Sequence, residues 1–223
     1  MPATTEKKTA LVLGATGLVG GHLVSGLVES TAFSRVKVLA RRPVGELASH
    51  PKVSGHVVDF ERPETYCDLA AADAVFCALG TTISQAGSRE AFLKVDFTYC
   101  REVAAAAMDA GARHFLLVSA MGANAKSMFF YNRVKGRLEE ALEKMGFASL
   151  SIFRPSILAG ERAAKRRAEA VGIALASAFS FAIPARWRPV DARLVARAMI
   201  RAAENPEPGV RVFPSEVIRQ EDS

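Results

Sequence analysis

The chain has 223 residues, half of them hydrophobic and 23% charged, with a formal net charge of +6. That is the composition of a globular protein with a substantial core and excludes a disordered or fibrous chain. No run reaches about 18 uninterrupted apolar residues, and the polar start MPATTEKK leads into no apolar stretch, so neither a spanning helix nor a signal peptide is expected. Cys67, Cys77 and Cys100 form no CxxC pair and read as reduced thiols of a cytoplasmic protein. The scattered histidines show no ligand spacing, so no metal site is expected.

Taken in chain order, the elements alternate. A β-rich run over Thr9–Leu13 is broken by glycine and followed by helical spacing from Leu18. Strands follow at Val36–Ala40, in KVSGHVVDF ending at Asp59, and at Ala74–Leu79. An alanine-rich helix fits Arg89–Ala110, with Gly111 as its stop. RHFLLVSA is the fifth strand, Ser127–Met145 a helix ended by Gly146, and ASLSIFRPS the sixth strand. ERAAKRRAEAVGIALASAFSFAIP reads as a helix with a basic head, PVDARLVARAMIRAAENP as another, and GVRVFP as a last strand. Alternating strands and helices with nearly all-apolar strands predict an α/β doubly wound parallel sheet, a Rossmann fold, with a small C-terminal cap. One domain over residues 1–223 is expected, with residues 156–205 forming the cap on the substrate side.

LVLGATGLVGG sets Gly14, Gly17 and Gly20 between a strand and a helix. Such a turn lets backbone N–H groups approach a pyrophosphate, and the helix N-terminus adds its dipole. The second strand ends in LARRP, where an NAD site would carry an acid. Arg41 and Arg42 instead suit a 2′-phosphate, so NADP (NADPH) is the expected cofactor. Asp59 and Phe60, ending the third strand, are expected near the adenine. Alternatively Asp59 only caps a loop.

The fifth strand ends in LLVSAMG, placing Ser119 at the carboxyl edge of the sheet, where ligands of such folds bind. Tyr131 and Lys135 stand four residues apart on one helix face. The three suit carbonyl reduction. A tyrosine hydroxyl gives the proton, an ammonium lowers its pKa, and a serine orients the substrate oxygen. Without the glycine turn, the pair would read as a half-buried tyrosine beside a snorkelling lysine.

The phrases GATGLVG, CALGTTISQAGSREAFLKVD, SAMGAN and FYNRVKGRLEEALEKMGFASLSIFRPSIL resemble the atypical short-chain dehydrogenase/reductase superfamily of NAD(P)-binding Rossmann proteins. Within it the likeness is greatest to the Tat-interacting-protein oxidoreductase group and its bacterial relatives, over about Thr9–Ile218. The resemblance implies an NADP(H) site in which Gly14, Thr16, Gly17, Leu18, Val19 and Gly20 form the glycine loop. It implies that Arg41 and Arg42 meet the 2′-phosphate, and that Leu79, Gly80 and Thr81 line the cofactor. It also implies that Arg154, Pro155, Ser156 and Ile157 pass the nicotinamide, with Ser119, Tyr131 and Lys135 catalytic and Lys135 also anchoring the ribose.

The reading is therefore an NADP-dependent short-chain dehydrogenase/reductase acting on a small carbonyl substrate. The alternative is a non-catalytic NADP(H)-binding regulatory or redox-sensing protein that works through a protein partner. A homodimer is left open. Between Gly160 and Arg201 lie nine Lys/Arg against three acids, a basic stretch that suits an anionic ligand or surface. A lid helix is preferred there over a membrane contact, and neither nucleic-acid binding nor stable membrane insertion is expected.

Overall fold

A computed structural model describes residues 7–159 and 188–222. Its centre is a seven-stranded, wholly parallel sheet of order β3-β2-β1-β4-β5-β6-β9. The strands are β1 (Lys8–Leu13), β2 (Phe33–Ala40), β3 (Val53–Val57), β4 (Ala74–Cys77), β5 (His114–Val118), β6 (Ser149–Arg154) and β9 (Gly209–Pro214). Two short strands, β7 (Leu158–Ala159) and β8 (Val190–Asp191), pair separately. Strand order reverses between β1 and β4, which makes a crevice at their carboxyl ends. This is the doubly wound Rossmann architecture expected from the alternation.

The period of the strands sorts the core into two layers. Ala10 and Val12 of β1 face one side, packing with α1 (Leu18–Glu29) and α6 (Ala192–Glu204). Leu11 and Leu13 face the other, packing with α4 (Cys100–Asp109) and α5 (Phe130–Met145). Residues such as Leu11, Leu23 and Phe115 are fully buried, each stabilising by roughly 1.5–3 kcal/mol. Helix α6 was expected within the cap; it lies instead in the layer beside α1, with Asp191 accepting the Arg193 N–H as its N-cap. The basic-headed helix expected after Gly160 lies outside the described residues.

Several boundaries differ from the sequence reading, the second strand among them, which starts at Phe33. The third and fourth strands end early, at Val57 and Cys77. The helix after Ser88 runs as α3 (Arg89–Leu93), a wider π-helical stretch (Lys94–Tyr99) and α4, following the short α2 (Ile83–Ala86). Helix α5 starts at Phe130, three residues late. There Ser127 Oγ accepts the Phe129 N–H, and Arg133 Nη1 donates to the Ser127 and Met128 carbonyls, so local side-chain bonds displace the helix. The helix ends at Gly146 with φ 80°, and α7 (Ser215–Ile218) with a 3-10 turn over Arg219–Asp222 closes the described fold.

Candidate functional site

The glycine loop is shaped by close approach. Gly14 has φ 80°, and a Cβ there would stand 2.5 Å from the Ala78 carbonyl oxygen at the end of β4. A Cβ on Gly20 would stand 2.0 Å from the Gly14 oxygen. Gly14 is therefore needed to seat the turn against the end of β4, and Gly20 to let the first turn of α1 close onto the loop. Gly17 caps α1 without any side-chain hydrogen bond, so no side chain of its own covers that helix N-terminus. An uncapped N-terminus of a twelve-residue helix beside β4 fits an anionic phosphate group.

A cleft of about 300 Å³ opens beside the loop. Thr16, Gly17, Leu18 and Val19 form one wall, and Leu79, Gly80 and Thr81 another. Ser119, Tyr131 and Lys135 meet in the same cleft. A larger cleft of about 790 Å³ shares Thr16, Gly17 and Leu18 and is bounded by His22 of α1 and Arg193 of α6.

Tyr131 is 36% exposed and packs its ring 5.6 Å from Phe92 of α3. Lys135 is buried, with Nζ 2.7 Å from Asp96 Oδ1 in the π-helical stretch. Asp96 Oδ2 also accepts the Thr81 N–H at 2.8 Å. Burial opposes the charge on Lys135, but Asp96, and Tyr131 after it, outweigh burial and hold its pKa above the ordinary lysine value. The ammonium is thus permanent near neutral pH and fixed in place. Ser119, also buried, donates to Glu139 Oε1 at 2.5 Å, and Glu139 is in turn paired with Arg154.

Other expected residues fall in different surroundings. Arg41 and Arg42 follow β2 and are exposed. Asp59 Oδ1 accepts the Glu61 N–H and its own N–H donates to Thr65 Oγ1, so it organises a loop. Phe60 is 4% exposed and stacks on Tyr99 at 5.5 Å; its ring belongs to the core, not to a surface that could line an adenine. Pro155 is buried and its carbonyl accepts the Met121 N–H. Ser156 Oγ donates to the Arg188 carbonyl, while Ile157 is 56% exposed.

Sequence reasoning missed Asp96, Glu139 and Leu158. Asp96 stood in plain view: Phe92, Asp96, Cys100 and Val103 recur at core spacing, and all are buried. Glu139 extends the Tyr131–Lys135 stripe by one more turn. Leu158, which lines the cleft, is placed by its pairing with Val190, a contact no local pattern signals.

Comparisons with known proteins agree with this fold. A family model described as NAD(P)H-binding matches residues 14–206. Protein HTATIP2 of Rattus norvegicus is 34% identical over 209 residues, covering 92% of this chain and 84% of that protein. Protein FMP52-1, mitochondrial, of Scheffersomyces stipitis is 43% identical over 162 residues, covering 69% of each. Among solved structures, the ADP-L-glycero-D-manno-heptose-6-epimerase of Helicobacter pylori superposes with a TM-score of 0.71 at 16% identity, covering 96% of this chain and 79% of that one. MoeE5 in complex with UDP-glucose and NAD gives 0.69 at 17%, covering 92% and 76%. At these identities the structures show a shared fold. No described helix is long and apolar enough to cross a membrane.

Proposed function

Because the chain belongs to the NAD(P)H-binding family, we propose that it is an NADPH-dependent reductase of small carbonyl compounds with a Ser119–Tyr131–Lys135 site. The observation that carries this reading is the meeting of those three side chains with the glycine loop and Gly80–Thr81 around one cleft. The loop amides of Gly14–Gly20 would hold the pyrophosphate, Arg41 and Arg42 the 2′-phosphate, and Leu79–Thr81 the adjoining ribose. When bound, the reduced nicotinamide supplies a hydride. Tyr131 then holds the proton destined for the developing alkoxide. Lys135, fixed by Asp96, keeps a positive charge on the same helix face and favours the phenolate that Tyr131 leaves behind. Leu18, Val118 and Leu158 make apolar walls that limit water in the cleft.

The test is calorimetric titration with NADPH and NADH, followed by a carbonyl screen on wild type and Tyr131→Phe. Tighter NADPH binding, and turnover that falls about a hundredfold or more in Tyr131→Phe with binding kept, is the expected result. Equal affinity for both cofactors removes the 2′-phosphate assignment, and undiminished turnover removes Tyr131 as the acid.

A second reading, an NADP(H)-dependent regulator, is favoured by Met128 and Phe129, 94% and 75% exposed just before the helix that carries Tyr131. A protein captured through those residues in one cofactor state, without turnover, would establish it. We place the protein in the cytoplasm from its cysteine usage; the mitochondrial names of fungal relatives make organelle fractionation the check.

A further inference from the structure

A separate cavity, of about 540 Å³, opens at the amino-terminal edge of the parallel sheet, the edge opposite the glycine loop. Lys8, Ala74, His114 and Ser149, the first residues of β1, β4, β5 and β6, line it together with Ala203 of α6. Ala74, His114 and Ser149 stand in register on neighbouring strands, so their side chains share the face that α6 covers. His114 is 4% exposed, and burial, then Lys8, keeps its ring neutral near neutral pH. Its Nε2 lies 3.1 Å from Ser151 Oγ, the one hydrogen bond of that buried hydroxyl among the described residues. Its Nδ1 is buried and has no partner among them. A neutral imidazole carries one ring proton. With that proton on Nε2, the Ser151 O–H and Nδ1 both go unpaired. With it on Nδ1, Ser151 donates to Nε2 and a single N–H is left over. Unpaired buried groups are costly, so the proton belongs on Nδ1. The leftover donor is a buried polar group that an acceptor entering the cavity would satisfy.

The charges around the cavity favour an anion. Arg113, exposed at the opening, makes no ion pair among the described residues, so its fork of donors is free. Lys8 Nζ donates to the Ala203 and Glu204 carbonyls at 3.0 and 3.3 Å and adds a second positive charge. The two carboxylates at the opening are engaged elsewhere: Asp73 Oδ2 accepts the Thr9 N–H at 2.7 Å, and Glu207 pairs with Arg211. Ala74 and Ala203, both almost fully buried, and the rings of Pro206 and Pro208 make an apolar wall. We propose that this cavity is a second binding site, for a small organic monocarboxylate with an apolar body, its carboxylate held by the His114 Nδ1–H and the Arg113 guanidinium. The body lies on the alanine and proline wall. A dianion such as phosphate fits worse, because Asp73 and Glu207 repel its second charge and the apolar wall offers it no partner. The site stands apart from the cofactor cleft and does not rest on the reductase reading.

Calorimetric titration of the full chain at neutral pH with benzoate, benzamide and inorganic phosphate tests this. Benzamide keeps the ring of benzoate without its charge, and phosphate keeps a charge without a ring. Benzoate should bind, with benzamide and phosphate each about tenfold or more weaker. Arg113→Ala and His114→Phe should each weaken benzoate about tenfold or more, with urea unfolding showing that the variants are folded. In 15N NMR, benzoate should move the His114 Nδ1 resonance and leave those of His22, His50 and His56 in place. Absent benzoate binding up to about 10 mM overturns the inference. So does benzamide binding as tightly, which removes the carboxylate, or phosphate binding as tightly, which removes the apolar body. Benzoate binding undiminished in Arg113→Ala overturns it as well. An unmoved His114 resonance does the same, and decides the point even where His114→Phe fails to fold.

Discussion

Asp96→Asn removes one charge and one of the two acceptor oxygens. The amide keeps the volume of the carboxylate and can still accept the Thr81 N–H that Asp96 Oδ2 takes at 2.8 Å. What it cannot do is balance the Lys135 ammonium, now 2.7 Å from Oδ1 in a site where the aspartate is 0% and the lysine 4% exposed. Removing one partner of a buried ion pair costs about 3–5 kcal/mol. With the single amide oxygen serving Thr81, the NH2 faces Nζ and that hydrogen bond is lost with the charge, so the upper end, about 5 kcal/mol, is expected. That is a large share of the roughly 5–15 kcal/mol that holds an ordinary domain together, so the variant should fold but be weakened. The pH dependence fixes the cause. In wild type the pKa of Lys135 is raised above the usual 10.5, burial lowering it but Asp96 prevailing. The unfolded chain then loses its proton first, and wild-type stability falls as pH rises past 10.5. In the variant, burial is left largely unopposed and the folded pKa drops below the unfolded one. The folded chain loses its proton first, and stability rises with pH up to that value. Urea unfolding of both proteins between about pH 7 and pH 10 should show the gap narrowing as pH rises. A gap under about 1 kcal/mol, or one that stays constant with pH, would refute the reasoning.

Arg41→Ala and Arg42→Ala should each weaken NADPH binding about tenfold or more while leaving NADH unchanged, as calorimetry would read, because only the 2′-phosphate distinguishes the two cofactors. His114, on β5, is 4% exposed, with Nε2 3.1 Å from Ser151 Oγ; burial first, then Lys8, lowers its pKa to about 4 from the usual 6.5. The unfolded chain takes up this proton first, so stability is complete above pH 6.5 and falls through the interval down to about pH 4. The full loss is roughly 3 kcal/mol, and His114→Phe should flatten this part of a denaturation profile.

How much the chain discloses depends on whether a feature is periodic or long-range. The strands could be read because Ala10 and Val12 serve one layer while Leu11 and Leu13 serve the other, leaving no polar position to obscure the run. The glycine loop could be read because Gly14 and Gly20 answer to atoms within the same turn and the neighbouring strand end. Asp96 escaped because a charged residue at a core spacing looks like surface until its cation arrives from α5. Phe60 misled for the opposite reason: an aromatic ending a strand suggests a ligand wall, but Tyr99, 39 positions onward, claims its ring. The late start of α5 hung on the Ser127 hydroxyl and the Arg133 guanidinium, whose backbone bonds compete with the helix. The segment read as a lid, AAKRRAEAVGIALASAFSFAIP, lies outside the described residues.

Helix α5 joins these parts, since Tyr131, Lys135 and Glu139 follow one another along a single face and reach the cleft, the π-helical stretch and β6 respectively. What sets the position of that helix is Gly136. A Cβ there would stand 2.2 Å from Ala125 N and from Asn124 C, both backbone atoms. Gly136→Ala therefore opposes two effects. Alanine gains up to about 1 kcal/mol of helix propensity over glycine. Against it, a contact so far inside van der Waals distance to backbone forces the helix or the 124–125 loop to move, at about 1–3 kcal/mol. The clash should win, and because α5 would shift as a body, Ser119 would lose its alignment with Glu139 and Tyr131 its place in the cleft. Arg41 and Arg42, on the far side of the sheet order at β2, would not be disturbed. Gly136→Ala should thus lower stability in urea and lose carbonyl turnover while keeping the NADPH-to-NADH affinity ratio of wild type. A variant as stable as wild type with full turnover would mean that the 124–125 loop yields freely, and that α5 is positioned by its ion pairs instead.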